Sequence, residues 1–288
     1  MESHPEQPVA EWAKVLKVSS SGYYKWLKSK PIREEKTQKR QDDVKRIFYD
    51  GNGHYGPERI VGIMRKQEQK KASRPVIARD MTQLGLISSY NKNRKQRSLT
   101  DSRGSRGDNL VNLLRHKTDF KPLEAICSDI TYLRTCEGWL YKCVIKDIAT
   151  GIVLGIAMDD NMKKELVIKA FLNANARHNL PPDTIFHSDR GSQYTSKEFM
   201  ALLVKHKIRQ SFSRVGKPGD NSWAESYFAS FKKEEVHFKQ LVTKSEMKTI
   251  VYRWVFTEYN AKRAQKRLGY FSPMQVFNKL QTMLKTAA

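Results

Sequence analysis

Eight segments in the second half of the chain alternate between strand-like and helix-like patterns, and their order leaves few possible folds. Three strand-like segments come first, at 125–133, 139–148 and 152–158, with turn signals at Gly138 and Gly151 between them. Helical periodicity follows at 163–178, 196–206 and 222–236, and two short strands at 184–187 and 208–212 separate these helices. We expect a last helix over 245–259. The order βββαβαβα is that of the ribonuclease-H-like α/β fold, with a mixed sheet and helices on both faces.

The first ninety residues have a different pattern of apolar and polar residues, and this pattern predicts only helices. Helical segments are expected at five places: 9–17, 19–27, 33–49, 57–67 and 75–84. Short helix pairs with basic flanks are typical of helix-turn-helix DNA binding, and Lys25 is a candidate contact. The alternative is a small helical bundle whose charges are merely solvated. We interpret 1–90 as an all-α, helix-turn-helix-type DNA-binding region.

A basic, polar stretch separates the two halves. Residues 91–108 contain six Lys or Arg and two Gly, with almost nothing apolar. This composition predicts a linker over 91–120 that could follow DNA phosphates, with Arg94, Lys95 and Arg97 as candidate contacts. Residues 121–288 then form the expected catalytic core with a C-terminal helical tail.

The formal net charge of +23 indicates which class of molecule the chain binds. Such self-repulsion favours a polyanionic partner, either nucleic acid or an anionic membrane surface. No apolar run reaches the length of a spanning helix, no basic amphipathic anchor is evident, and the N-terminus lacks the pattern of a signal peptide. The three cysteines match no zinc spacing. We therefore expect a cytoplasmic protein with reduced thiols and double-stranded DNA as its partner, without a membrane.

Three carboxylates are candidate catalytic residues, and each has an alternative interpretation. Asp129 lies inside a strand-like segment, where the alternative is a solvent-facing position. Asp189 follows a strand end, where ligands gather in such sheets, and the alternative is a turn aspartate. Glu225 begins a helix and could instead complete a capping box with Ser222.

The spacing of the three carboxylates favours a shared role. Between Asp129 and Asp189 lie 59 residues, and between Asp189 and Glu225 lie 35. In the predicted fold all three reach one end of the sheet, where they would repel one another without cations. Mg²⁺ prefers oxygen ligands, and two such ions can support in-line attack of water or a 3′-hydroxyl on a phosphodiester. We predict that Asp129, Asp189 and Glu225 bind two Mg²⁺ ions, which Mn²⁺ could replace.

At this point the chain resembles the OrfB-type transposases of bacterial insertion sequences, relatives of retroviral integrases with a D,D(35)E core. The matching segments span nearly the whole chain: VSSSGYYKWL at 18–27, HYGPERI at 54–60, SDITYL at 128–133, EGWLY at 137–141, HSDRGSQY at 187–194, DNSWAES at 220–226 and YNAKRAQKRLGYFSP at 259–273. The resemblance implies cleavage of element ends and strand transfer. It also implies that the helical N-terminal half binds those ends.

The resemblance suggests roles for further residues. Lys232, seven residues after Glu225, is a candidate DNA contact near the metals, against a solvated lysine. His187 and Arg190 flank Asp189, and they either orient it, touch phosphate or are structural. The tail residues Tyr259, Asn260 and Arg263 are expected to pack against the core. Three positions depart from the family pattern without removing a carboxylate: Ile126, Gln265 and the pair Ser222–Trp223.

Two other functions fit parts of the pattern. A DNA-binding regulator derived from a transposase would use the N-terminal helices without catalysis. A ribonuclease H or resolvase nuclease would share the fold, because fold alone does not fix function. The N-terminal unit is modest and has no clear leucine-zipper heptad, and the resemblance implies fusion to the product of an upstream reading frame. We expect that partner, or self-association, to pair two DNA ends.

Overall fold

The computed structural model describes residues 8–89, 111–114, 117, 119–214, 221–237 and 240–286. Most of the predicted linker lies outside the described residues, and so do its candidate contacts Arg94, Lys95 and Arg97. The division at 90 and 120 therefore stays a prediction.

Five helices form the N-terminal part, as the sequence predicts: α1 Val9–Val15, α2 Ser20–Lys28, α3 Lys30–Asp50, α4 Pro57–Lys66 and α5 Arg74–Gln83. Ser19 caps α2, because its side chain accepts a hydrogen bond from the backbone N–H of Gly22. Helices α3, α4 and α5 share an apolar core that includes Val44, Ile60 and Ile77. Ala264 from the C-terminal tail is buried in the same core, so the tail packs against these N-terminal helices.

A five-stranded mixed sheet forms the centre of the second half, and it confirms the predicted ribonuclease-H-like order. Its strands are β1 Ala125–Thr135, β2 Gly138–Asp147, β3 Val153–Asp159, β4 Ile185–Ser188 and β5 Arg209–Phe212. They lie in the order β3-β2-β1-β4-β5. The hairpin-connected strands β1, β2 and β3 pair antiparallel, whereas β4 pairs parallel with both β1 and β5. The long strand β1 is therefore central.

Helices cover both faces of this sheet. They are α6 Lys164–His178, α7 Lys197–Lys205, α8 Ser222–Phe231, α9 Lys244–Arg253 and α10 Pro273–Thr286. Helices α8 and α9 each continue into a wider π-helical segment, Lys232–Val236 and Trp254–Asn260 respectively. One core packs α6 and α7 against the side of the sheet that carries Ile126. A second core packs α8 and α9 against the opposite side, which carries Val144.

The prediction that the helix over 245–259 is the last one is wrong, because α10 follows it. The start signals of α10 are visible in hindsight. Ser272 and Gln275 exchange side-chain-to-backbone hydrogen bonds of 2.8 and 3.3 Å, and Pro273 occupies the first helical position. Among the described residues, no helix is long and apolar enough to cross a membrane.

Candidate active site

Asp129 lies on the central strand β1 and faces the side covered by α8. Its backbone pairs with Val144 on β2, and Val144 belongs to the core beneath α8 and α9. The side chain is half-buried, and one carboxylate oxygen accepts a hydrogen bond of 2.8 Å from the backbone N–H of Ile130. The alternative of a fully solvent-facing strand position is therefore wrong.

Asp189 follows β4 beside Asp129. The last paired residues of β1 and β4 are Cys127 and His187, and each aspartate lies two residues further along its own strand. The Asp189 carboxylate accepts a 3.0 Å hydrogen bond from the backbone N–H of Gly191. A Cβ atom on Gly191 would lie 3.0 Å from that carboxylate oxygen, so this tight turn favours glycine. Although the residue as a whole is exposed, desolvation by its neighbours raises the pKa of Asp189, against the opposing Gly191 hydrogen bond.

Glu225 lies in the first turn of α8 and is exposed. The helix begins at Ser222, and its N-cap Asn221 makes no side-chain capping bond. The capping-box alternative for Glu225 is therefore wrong. Instead, the side-chain amide of Asn221 donates a 3.2 Å hydrogen bond to the carbonyl of Ser128, which fixes the start of α8 against β1.

Asp129 is affected by the charges of the two other carboxylates. Burial is the main cause that raises the pKa of Asp129 to about 7, and the charges of Asp189 and Glu225 raise it further. The Ile130 N–H and the Lys232 ammonium oppose this rise. The surroundings of Asp129 thus disfavour its ionised form, an effect that a nearby cation would reverse.

The donor set fits a divalent cation in its chemistry, because all three side chains offer carboxylate oxygens. In the described segments, no three or more His, Cys, Asp or Glu side chains lie close enough together to hold a metal ion. The charge of the exposed Glu225 therefore affects Asp129, but the three carboxylates do not lie close enough together to form a complete metal site.

Lys232 lies where α8 passes into its π-helical segment, so the helix that carries Glu225 also carries this lysine. Its side chain is half-buried, and its ammonium nitrogen lies 5.3 Å from the centre of the Tyr132 ring. Burial lowers the pKa of Lys232, whereas the charge of Asp129 raises it. This position beside the carboxylates disfavours the alternative of a merely solvated lysine.

The neighbours of Asp189 differ from each other. His187 is fully buried on β4, and its two ring nitrogens lie 2.9 and 3.1 Å from the hydroxyls of Ser211 and Ser213. This arrangement fits the structural alternative for His187. Arg190 is half-buried, and its Nε donates a 3.1 Å hydrogen bond to the carbonyl of Ser213. Both residues thus connect the end of β4 to the end of β5.

The remaining candidate contact, Lys25, is exposed on α2, far along the chain from the carboxylates. Two large aromatic side chains of the same helix are also exposed, Tyr24 at 57% and Trp26 at 47%. Four residues, 16–19, connect α1 to α2, which suits a helix-turn-helix pair.

The tail motif packs against the core, as the sequence suggests. Tyr259 lies in the core beneath α8, with its ring 4.9 Å from that of Tyr227. The Asn260 side chain bonds both the N–H and the carbonyl of Val153, at 2.9 Å each, and so pairs with the edge strand β3 as another strand would. Arg263 is buried and forms a 2.8 Å ion pair with Glu234.

Sequence reasoning missed two buried lysines on β2. Lys142 is fully buried, and its amine donates a 2.8 Å hydrogen bond to the Tyr227 hydroxyl. Lys146 is 3% exposed and donates a 2.7 Å hydrogen bond to the carbonyl of Trp223. Both partners belong to α8, so these lysines attach the Glu225 helix to the sheet. The available signal was the segment YKCVIKD, in which two lysines interrupt an apolar strand on one face.

Comparisons with known proteins agree with this geometry. Two family models described as "Integrase core domain" match the chain, one over residues 120–218 and the other over 206–273. The Escherichia coli K12 transposase InsF for insertion sequence IS3A is 31% identical over 280 residues, which cover 95% of each chain. The Lactococcus lactis transposase for insertion sequence element IS904 is 30% identical over 81% of this chain and 90% of its own.

Solved structures offer a more distant likeness. The HTLV-2 integrase catalytic core domain, solved in complex with magnesium, is 15% identical, with a TM-score of 0.42. The match covers 55% of this chain and 97% of that one. The family assignment rests on the sequence relatives, whose similarity extends over nearly the full chain. On that basis, the chain belongs to the family of insertion-sequence transposases with an integrase core domain.

Proposed function

We propose that this chain cuts the ends of an insertion sequence and joins them to target DNA, with Asp129, Asp189 and Glu225 as its catalytic carboxylates. The observation that carries the proposal is the convergence of three chain segments, namely β1, the turn after β4 and the first turn of α8. Burial raises the pKa of Asp129 to about 7, and the charges of Asp189 and Glu225 contribute to the rise. Unpaired charges of one sign are costly in a half-buried site unless a cation or substrate compensates them.

The three carboxylates would hold two Mg²⁺ ions, and Mn²⁺ would serve in their place. When bound, such ions activate the attacking oxygen and stabilise the leaving oxygen of a phosphodiester. The carboxylates position these charges, and the hydrogen bonds from Ile130 and Gly191 fix the orientation of the two aspartates. Lys232 would contact a DNA phosphate beside them, because its ammonium group already lies within the field of Asp129.

The N-terminal helices would bind the element ends. Lys25, Tyr24 and Trp26 are exposed on α2, which follows α1 after a four-residue turn. Arg190, at the edge of the catalytic site, would contribute a further phosphate contact, and the linker residues Arg94, Lys95 and Arg97 would follow the backbone of the same duplex. His187 would fix the end of β4, and so the position of Asp189, through its buried contacts with Ser211 and Ser213.

Self-association would pair the two DNA ends. Supporting observations are the exposed apolar side chains on and near α1, including Val15 at 73%, Leu16 at 56% and Val18 at 51%. Fusion to an upstream-frame product would supply an alternative pairing surface. A cytoplasmic location agrees with three free cysteines, Cys127, Cys136 and Cys143.

The decisive experiment measures cleavage and joining of an end-containing duplex with Mg²⁺, in parallel reactions with and without any upstream-frame product. Native chain is compared with Asp189→Asn and with a matched control, Asp183→Asn, which alters an exposed aspartate in the turn before β4. We expect Asp189→Asn to abolish cleavage while DNA binding is retained, and Asp183→Asn to behave like the native chain. Chelation of divalent cations should abolish cleavage in all three, and Mn²⁺ should restore it in the active ones.

A different result would select the second candidate function. Equal DNA binding by native and Asp189→Asn chains, with no cleavage by either in any reaction, would indicate a DNA-binding regulator. The observation that favours this candidate is the spacing of the carboxylates, which do not form a closed metal-binding group in the described residues.

A further inference from the structure

A basic pocket lies between the N-terminal helices and the catalytic core. Its volume is about 270 Å³, and it is bounded by α4, β2, α8 and the tail segment 259–267. Five cationic side chains line it, contributed by all of these elements except α8: Arg59, Lys146, Arg263, Lys266 and Arg267. Among the described residues, no carboxylate lines this pocket.

Nearby carboxylates compensate only part of this charge. Glu234 forms a 2.8 Å ion pair with Arg263, and Glu58 lies 3.2 Å from Lys266. The second pair is exposed, so solvent screens it. The pocket therefore keeps an excess of positive charge, which makes an anion its natural occupant.

Three of these cations are restrained by contacts within the protein. Lys146 is tied to the Trp223 carbonyl at 2.7 Å, and the Arg59 guanidinium lies 5.0 Å from the centre of the Tyr55 ring. Arg267 donates hydrogen bonds to the Gln265 side chain at 3.3 Å and to the Ala149 carbonyl at 3.4 Å. Fixed cations lose little conformational freedom on binding, which favours affinity.

The backbone around Arg267 is suited to this placement. A Cβ atom on Gly151 would lie 1.8 Å from a terminal nitrogen of Arg267, and Gly151 also has a positive φ of 73°. Only glycine accommodates both conditions without displacement of the guanidinium. The turn between β2 and β3 thus leaves the space that Arg267 occupies.

A second observation points to a ligand. The side-chain amide nitrogen of Gln265 is buried and has no hydrogen-bond partner within the described part of the chain. Gln265 lines the pocket, and its carbonyl oxygen is the atom that accepts from Arg267, which fixes the amide nitrogen as the remaining donor. A buried donor without a partner is costly, and an oxyanion in the pocket would satisfy it.

We propose that this pocket binds a phosphodiester group of duplex DNA at a place distinct from the catalytic carboxylates. The proposal rests on the proposed function, which supplies the polyanion. Ser226 lines the pocket and directly follows Glu225 on α8, whereas Arg59 belongs to the N-terminal helices. One bound phosphate would therefore join the end-binding region, the tail and the catalytic helix.

The test measures duplex affinity at several salt concentrations without divalent cations, so that no cleavage occurs. Full-length native chain is compared with Arg267→Gln and Arg59→Gln, and with Lys205→Gln as a control on α7, across the sheet. We expect each pocket variant to bind roughly tenfold more weakly. The slope of log affinity against log salt concentration should become less negative by about 0.9 for the lost phosphate contact. The control should match the native chain.

Neutral methylphosphonate substitutions in the duplex then locate the contact. One substituted phosphate should weaken native binding and have no further effect on Arg267→Gln, because that variant has already lost the contact. Arg267→Lys, which keeps the charge, should recover part of the affinity, and thermal unfolding of every variant shows that the fold is retained.

If both pocket variants bind duplex DNA with native affinity and native salt dependence, the proposal of a phosphate-binding pocket is wrong, and the proposed function is unaffected. Binding of inorganic phosphate that depends on Arg267, combined with DNA affinity that does not, would identify a small-anion site and also overturn it. A native chain that neither binds nor cleaves end-containing DNA would overturn both the proposed phosphate-binding pocket and the proposed function.

Discussion

The two faces of the central sheet are built from different chemistry. The face beneath α6 and α7 is closed by an apolar core in which Ile126, Phe171 and Phe186 are fully buried. Its buried polar groups have partners close by: the Tyr194 hydroxyl lies 2.9 Å from the Ser128 hydroxyl and 3.8 Å from the Cys143 sulfur, and Asp147 accepts hydrogen bonds from Leu123 and Thr150.

The face beneath α8 and α9 buries lysines and a carboxylate–arginine pair against aromatic rings. Lys142 lies among aromatic rings, with its nitrogen 4.0 Å from the centre of the Phe231 ring and 4.7 Å from that of Tyr227. Glu234 pairs with Arg263 and also accepts a 2.8 Å hydrogen bond from the Trp254 indole. Asp129 lies on this same face.

This difference separates the roles of the two faces. The α6 and α7 side is a packing surface, so its substitutions should change stability alone. The α8 and α9 side carries the helix with Glu225, and its buried polar side chains fix the position of that helix on the sheet. A buried polar group that keeps its partners costs little, but it defines one arrangement of the elements around it.

The largest expected effect tests the packing face. Phe171→Ala should lower the free energy of unfolding by about 3–5 kcal/mol, because it opens a cavity among rings that contact Phe171 edge to face. Cleavage activity per folded molecule should stay at the native level. Chemical unfolding and cleavage assays on the folded fraction measure both quantities.

A control for this substitution is Phe171→Leu, which keeps most of the volume and should lose far less stability. If Phe171→Ala instead abolished cleavage in the folded fraction, the packing face would share in catalysis and the comparison would be broken.

The sequence predicted the packing face better than the charged one. Helix and strand positions followed from local signals such as the Ser196 cap and the glycines at turns, because these act within a few residues. The proximity of Asp129 and Asp189 could be expected because strand order puts β4 beside β1. The segment YKCVIKD carried a local signal for Lys142 and Lys146, but their partners are aromatic side chains from α8 and the tail, which lie far along the chain. The π-helical continuations of α8 and α9 carried no local signal.

A pH experiment sharpens the comparison on the charged face. Burial lowers the pKa of Lys142 well below its usual value, so between that lowered pKa and about 10.4 the unfolded chain carries a proton that the folded chain does not. The stability of the native chain should therefore rise with pH in this window. Relative to Lys142→Met, the rise should approach about 1.4 kcal/mol per pH unit in the free energy of unfolding.

Two matched variants isolate the lysine. Leu140→Met alters a fully buried side chain on the same strand and face without a titratable group, and Lys205→Met removes an exposed lysine. Both should follow the native pH dependence. Parallel curves for native chain and Lys142→Met would show that Lys142 is charged in the folded protein.

The smallest expected effect concerns the polar cluster on the packing face formed by the Tyr194 and Ser128 hydroxyls and the Cys143 sulfur. Tyr194→Phe removes the hydroxyl that contacts Ser128 and Cys143, and it should cost about 1 kcal/mol of stability, the usual net value of a hydrogen bond. Ser128 directly precedes Asp129, but its side chain points to the opposite face. Cleavage should therefore be unchanged at every pH, as measured by rate against pH for native and Tyr194→Phe chains. A displaced pH profile would mean that the hydroxyl cluster acts on Asp129 through the strand, and that the two faces are coupled at this residue.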